Sequence, residues 1–137
     1  MVKKFYQPTP RILEGAALAR TGCVTSMMDI SDGLALSLHD LAAASGVGFF
    51  ITFEDIPINE KVKDIASDNG QLVEWSVYTG GDFELLFTLR PEYIKKVSEV
   101  ADFTIIGKVT SGSINIQRNG HIEVIEARGF QQFGDNI

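Results

Sequence analysis

The run Cys23-Val24-Thr25-Ser26-Met27-Met28-Asp29-Ile30-Ser31-Asp32-Gly33-Leu34-Ala35-Leu36-Ser37-Leu38 changes its periodicity halfway along. From Cys23 to Met28 the residues are short, apolar and partly β-branched, which predicts a strand. From Leu34 onward, Leu34, Leu38, Leu41 and Ser45 fall on one helical face, and Gly46 closes that helix. Between them, Asp29-Ile30-Ser31-Asp32-Gly33 makes a strand-to-helix turn that carries two carboxylates.

Working outward, Pro8 and Pro10 mark residues 1–10 as an extended lead-in. Residues 11–137 then read as one domain, since a chain of 137 residues accommodates a single compact core. Arg11 to Arg20 predicts a helix, with Ile12, Ala16 and Ala19 at helical spacing and Gly22 in a C-cap position. Downstream, Val47 to Phe53 predicts a strand, and Asn59 to Ser67 a polar helix with Asn59 as N-cap. Leu72 to Tyr78 fits either a helix or a strand. Alternation of Phe83, Leu85, Phe87 and Leu89 predicts another strand, and Pro91 opens a further helix. Thr104 to Val109 predicts a strand, and Ile114 to Arg118 pairs with His121 to Ile125 through the hairpin signal Asn119-Gly120. The fold class is α+β, with helices packed on one mainly antiparallel or mixed sheet.

Composition excludes several function classes. The hydrophobic fraction of 45% is ordinary for a protein with one buried core. A formal net charge of −6 with no basic stripe argues against nucleic acid as partner. The single cysteine, Cys23, has no internal disulfide partner, and His39 and His121 beside it make a poor zinc set. No apolar run approaches the ~20 residues that cross a bilayer. The expected setting is the cytoplasm, away from membranes. Neither a P-loop nor the protein-kinase and nucleophile-elbow signatures are present.

Three clusters carry chemistry. In the first, Asp29 and Asp32 can converge on one cation; magnesium takes hard oxygens, commonly one or two carboxylates completed by phosphate and water. The adjoining helix N-terminus attracts phosphate through its N–H groups and dipole. The alternative is that Asp32 or Ser31 caps the helix while Asp29 makes a turn. In the second, Gly80-Gly81 permits positive φ or close approach of a ligand to backbone, and Asp82 and Glu84 share a strand face that can orient a cationic substrate or hold water on a metal. There the alternative is a solvated polar face. The third is Gly129-Phe130-Gln131-Gln132-Phe133, whose aromatics either stack on a flat ring or tuck a terminus onto the core.

In this order and spacing, the clusters resemble the C-terminal half of the thiamine-monophosphate kinases. That family reads Met-Asp-Ile-Ser-Asp-Gly-Leu, then Gly-Gly-Glu-Asp-Tyr-Glu-Leu-Leu-Phe, and ends near Gly-aromatic-x-x-Phe. The matching segments are Met28 to Leu34, Gly80 to Phe87 and Gly129 to Phe133, and the Pro10-Arg11 lead and the Ser45-Gly46-Val47-Gly48 helix exit also fit. Related proteins include aminoimidazole ribonucleotide synthetase, selenophosphate synthetase and the hydrogenase-maturation dehydratase. Their sequences differ at the strand-to-helix turn.

The resemblance implies an α/β/α-layered C-terminal domain and ATP- and magnesium-dependent phosphoryl transfer onto thiamine monophosphate. Carried over by position, it implies Asp29 and Asp32 as magnesium ligands, Ser31 as a nucleotide contact, and Phe130 and Asp82 on the acceptor side. No residue is nominated as nucleophile, because such transfer works by positioning and charge neutralisation. Gly81 stands where the family has Glu, and Gln131-Gln132 where a His often precedes the final Phe. The family's N-terminal ATP-binding domain has no counterpart in these residues, so an N-terminal domain in cis or trans is the expected partner. A homodimer is compatible with this reading. The other readings are a stand-alone, non-catalytic binding or interaction module of the same fold, and a related ATP-using enzyme with another acceptor.

Overall fold

The computed structural model describes residues 7–130. The first helix, α1 (Ile12–Arg20), begins after Arg11, carries Glu14 in its first turn and ends on Arg20, a charge order that complements its dipole. Its exit is tied by the Thr21 hydroxyl, which donates to the Leu18 carbonyl at 2.6 Å. Gly22 follows at φ +67°, the left-handed conformation expected of it. The stripe expected at Ile12, Ala16 and Ala19 is not the buried one. Leu18 is the buried anchor and Ile12 is 70% exposed. The helix packs through Gly15, where an added Cβ would sit 3.4 Å from Leu85.

Strand β1 (Val24–Asp29) leads into the acid loop, and α2 (Leu34–Ser45) follows, ending on Gly46 in the left-handed region. After α2 come β2 (Gly48–Thr52) and a short 3-10 turn at Phe53–Asp55. Helix α3 (Glu60–Ile65) is capped by Asn59, whose side chain accepts the Lys61 N–H. The ambiguous stretch is helical: α4 (Asn69–Val73) starts at the cap Asp68 and continues as a π-helical turn, Glu74–Tyr78. Then come β3 (Leu85–Leu89), a 3-10 turn at Pro91–Tyr93, α5 (Ile94–Ser98), β4 (Gly107–Thr110), β5 (Ile114–Arg118) and β6 (His121–Val124).

The strands divide between two sheets instead of forming the expected single one. A four-stranded mixed sheet has the order β4-β2-β5-β6, with β2 and β5 parallel and the remaining pairs antiparallel. β1 and β3 form a separate antiparallel ribbon, with Asp29 opposite Leu85. The division follows the apolar side chains, which collect in two places. Leu34, Leu38 and Leu41 of α2 bury Phe49, Ile51, Ile114 and Ile116 of the mixed sheet. Leu18, Cys23 and Val97 gather with Phe87 and Phe103 against the ribbon, the two rings meeting edge to face at 5.4 Å.

Two strands start later than expected. The Phe83 alternation becomes strand only from Leu85, because the preceding residues are engaged by the acid loop. The strand expected from Thr104 is β4, which begins at Gly107; there an added Cβ would lie 2.2 Å from the Phe50 carbonyl oxygen, so the position admits only glycine. The Asn119-Gly120 turn has φ of 48° and 79° at its central residues, the primed geometry that matches strand twist. Among the described residues no helix is long and apolar enough to cross a membrane.

Leu38 is 1% exposed at the centre of the larger core. Leu38→Ala removes packed methyl groups that neighbouring strands cannot replace, so it should cost about 2–5 kcal/mol, read from the urea midpoint at unchanged m-value.

Candidate functional site

The acid loop is held by backbone contacts from the other two sequence clusters. Its first peptide, the Ile30 N–H, donates to the Glu84 carbonyl at 3.1 Å, and Gly33 N–H closes the turn onto the Ile30 carbonyl at 2.9 Å. The Ser31 carbonyl accepts from Gly81 N–H at 2.7 Å, and the Asp32 carbonyl accepts from Phe130 N–H at 2.9 Å. These contacts require glycines. An added Cβ at Gly80 would lie 2.6 Å from the Ser31 carbonyl oxygen and 2.7 Å from the Phe130 Cβ. At Gly129 it would lie 2.3 Å from the Asp32 carbonyl oxygen. Clusters some fifty residues apart in the chain thus meet at one loop, each through its glycine.

The same geometry bears on the capping alternative. The N-cap of α2 is Gly33 at φ +106°, which has no side chain with which to cap the helix. Ser31 turns the other way: its hydroxyl and its N–H both donate to Asp29 Oδ2. The Ser31 hydroxyl holds the Asp29 carboxyl below the usual carboxylate range, against a smaller opposing effect of burial, with the Ser31 N–H helping. Asp29 is therefore an ionised, exposed carboxylate at the end of β1, and Asp32, three residues on, is exposed in the turn.

Asp82 is exposed in the irregular segment before β3, so the shared strand face expected for Asp82 and Glu84 does not form. Glu84 is engaged by Arg11, whose Nε and Nη2 donate to its two carboxylate oxygens at 3.0 Å each. Phe130 is 59% exposed while its backbone is anchored to Asp32. Gln131, Gln132 and Phe133 lie outside the described residues. Among the described residues, no group of three or more His, Cys, Asp or Glu side chains could hold a metal ion. His39 has a structural partner, its Nε2 lying 2.8 Å from the Ile125 carbonyl oxygen.

Sequence reasoning missed Arg128. Its guanidinium grips Glu74 with both terminal nitrogens, at 2.6 and 2.7 Å, and lies 3.5 Å from the centre of the Tyr78 ring. Its position directly before Gly129 was the available signal. The partner, 54 residues earlier, has no sequence mark that pairs it with Arg128.

A strand, an acid turn braced by glycines and a helix laid on a mixed sheet define a class of domain, and residues 2–118 match one such family model, that of the AIR synthase related protein, C-terminal domain. The chain belongs to this family, and the α+β fold expected of it is the one observed. It is similar to thiamine-monophosphate kinase from Pyrococcus abyssi, with 37% identity over 136 residues, covering 98% of this chain and 42% of that protein. Thiamine-monophosphate kinase from Methanospirillum hungatei is 42% identical over 110 residues, 80% of this chain and 36% of its own length. A solved structure described as AaThiL complexed with AMPPCP and TMP has a TM-score of 0.78 at 29% identity, covering 96% of this chain and 40% of that one. The chain spans about two fifths of the length of these relatives.

The Ser31–Asp29 contact has a pH signature. A carboxyl whose folded value is depressed contributes stability that is fully present above its unfolded value and is lost as pH falls through the folded one. Ser31→Ala removes the larger donor, so the Asp29 titration should move up toward the ordinary carboxylate range, as followed by carboxyl carbon-13 NMR. An unmoved titration would mean that the hydroxyl does not set it.

Proposed function

We propose that this chain is the C-terminal half of an ATP-dependent thiamine-monophosphate kinase, converting thiamine monophosphate and ATP to thiamine diphosphate and ADP. The observation that carries the proposal is the meeting of all three clusters at the Asp29–Gly33 loop, in a chain similar to kinases of that name. A complex of AMPPCP and TMP in a protein of the same fold supports a nucleotide and a thiamine phosphate as the pair of ligands.

The donor set fits a share in a magnesium site. Asp29 is an ionised hard-oxygen ligand fixed at a strand end, with Asp32 on the same short turn. Magnesium is commonly bound by one or two carboxylates together with phosphate oxygens and water, so these two acids make a partial site that other groups complete. When bound, the cation supplies charge neutralisation for phosphoryl transfer. The chain's own residues supply position. Ser31 sets the ionisation of Asp29 and lies at the turn where a nucleotide phosphate would approach. The start of α2, with glycine at its N-cap, adds N–H groups and the positive end of a helix dipole. Phe130 offers an exposed ring anchored through its own backbone, suited to the flat, cationic thiazolium, and the exposed Asp82, two residues after the Gly80 that meets Phe130, adds negative charge. Enclosure of the triphosphate falls to the region that corresponds to the rest of the relatives' length. The cytoplasm is the proposed location.

The test uses a chimera in which the preceding part of the Pyrococcus abyssi kinase is joined to this chain, assayed for thiamine diphosphate formation with ATP and magnesium. The chimera should turn over, and the chain alone should not, because in-line transfer needs the triphosphate held from more than one side. Asp29→Asn should remove an electrostatic contact of about 1.4 kcal/mol or more in the transition state, lowering turnover about tenfold or more and raising the magnesium requirement. Unchanged magnesium-dependent kinetics would return the acids to a local structural role.

In the same chimera, Phe130→Ala should raise the acceptor KM several-fold and leave the ATP KM alone, reflecting stacking and cation–π attraction of about 0.5–2 kcal/mol. A change in melting temperature alone would identify the ring as packing.

A further inference from the structure

Arg128 immediately precedes the Gly129-Phe130 arm that crosses the acid loop, and its side chain is held on several sides. Nη1 and Nη2 donate to the two oxygens of Glu74 at 2.6 and 2.7 Å, and Nε donates to Glu126 at 2.9 Å. The guanidinium carbon lies 3.5 Å from the Tyr78 ring centroid. Glu74 and Tyr78 are the first and last residues of the π-helical turn. That turn also bears on the loop directly: an added Cβ at Gly33 would lie 3.0 Å from the Tyr78 carbonyl oxygen. The loop is therefore approached by the turn at Gly33 and by the arm at Asp32.

We infer that Arg128 is a positioning residue: by clasping Glu74 and stacking on Tyr78 it fixes the Gly129–Phe130 arm across the Asp29–Gly33 loop, and so sets where the Phe130 ring meets the acceptor. The last step rests on the kinase reading above; the fixing of the arm does not. An exposed ion pair on its own contributes little to stability. This one joins the arm to an element 54 residues away, and its fork and ring contacts define a direction as well as a distance. Its effect is on orientation more than on overall stability. Lysine keeps the charge but has neither the planar fork nor the stacking face, so it is an informative replacement.

The arm leaves a direct reporter, the Phe130 amide that donates to Asp32. Hydrogen exchange at this amide should speed up about threefold to tenfold in Arg128→Gln and in Glu74→Gln, with Arg128→Lys rescuing only part of the loss. The amides of Leu38 and Ile116, inside the larger core, should keep their wild-type exchange. Glu74→Gln tests the same clasp from the side that does not belong to the arm, so one poorly folded variant does not remove the test. Unchanged Phe130 exchange in both variants, or equal acceleration at the core amides, overturns the inference. In the chimera, Arg128→Gln should raise the acceptor KM more than the ATP KM. Faster Phe130 exchange with no acceptor effect overturns the link from arm to acceptor. A wild-type chimera without turnover overturns the kinase reading, while the exchange measurements still decide whether Arg128 fixes the arm.

Discussion

The backbone of Ser31 and Asp32 is the constraint on which the rest of the site depends. A strand-to-helix turn exposes carbonyls that its own ladder cannot satisfy, and here they accept N–H groups from Gly81 and Phe130. Because these partners come from distant parts of the chain, the loop forms only when the ribbon, α2 and the segment after β6 are all in place. The glycines at 80 and 129 are the steric condition for that closure, since a side chain at either would strike loop backbone. What the braced backbone leaves outward is chemically useful: Asp29, Asp32 and the Phe130 ring are all exposed. The loop is backed by hydrogen-bonded backbone while these three side chains stay accessible.

Features written in neighbouring residues were legible in the sequence. Asn119-Gly120 dictates its hairpin through positive φ, and the leucine spacing of α2 dictates its buried face. The role of Gly80-Gly81 as a place of close approach was legible too, although what approaches within this chain is loop backbone. Illegible features depend on partners far along the chain. Leu72 to Tyr78 carries both periods, and its helical state follows from the Asp68 cap together with burial of Val77 in the larger core. The division into two sheets could not be read from strand patterns, because alternation identifies a strand and not its neighbour. Glu84 was placed on a polar strand face, but Arg11 engages it across 73 residues.

Electrostatics divides the labour within the site. A chain of net charge −6 brings two arginines close to an acidic loop, and each is gripped by a carboxylate with both forks engaged. Arg11 secures the segment that leads into β3, and Arg128 secures the arm that carries Phe130. Charges matched in this way orient chain segments and are poorly placed to clamp a phosphate, because freeing them would cost a charge-assisted pair. The acids on the loop are left with their charge uncompensated by these arginines. Asp29 in particular is kept ionised by a neutral hydroxyl, the Ser31 side chain.

Among the described residues no three His, Cys, Asp or Glu side chains gather as a metal set, so under the kinase reading proposed above Asp29 and Asp32 would be part of a site that other groups complete. Phosphoryl transfer places high charge on oxygens that must be neutralised from several directions at once, which a single turn cannot do. A divided site solves this if each half presents groups of fixed geometry, so that ligand binding does not have to order them. Here the ordering is already done by folding. The glycine contacts fix the turn, the Ser31 hydroxyl fixes Asp29, and the Phe130 backbone is tied to the same loop as the acids. The exposed Asp29 carboxylate and the exposed Phe130 ring are thus joined through a short stretch of hydrogen-bonded backbone, which under the kinase reading proposed above would hold cation and acceptor in register.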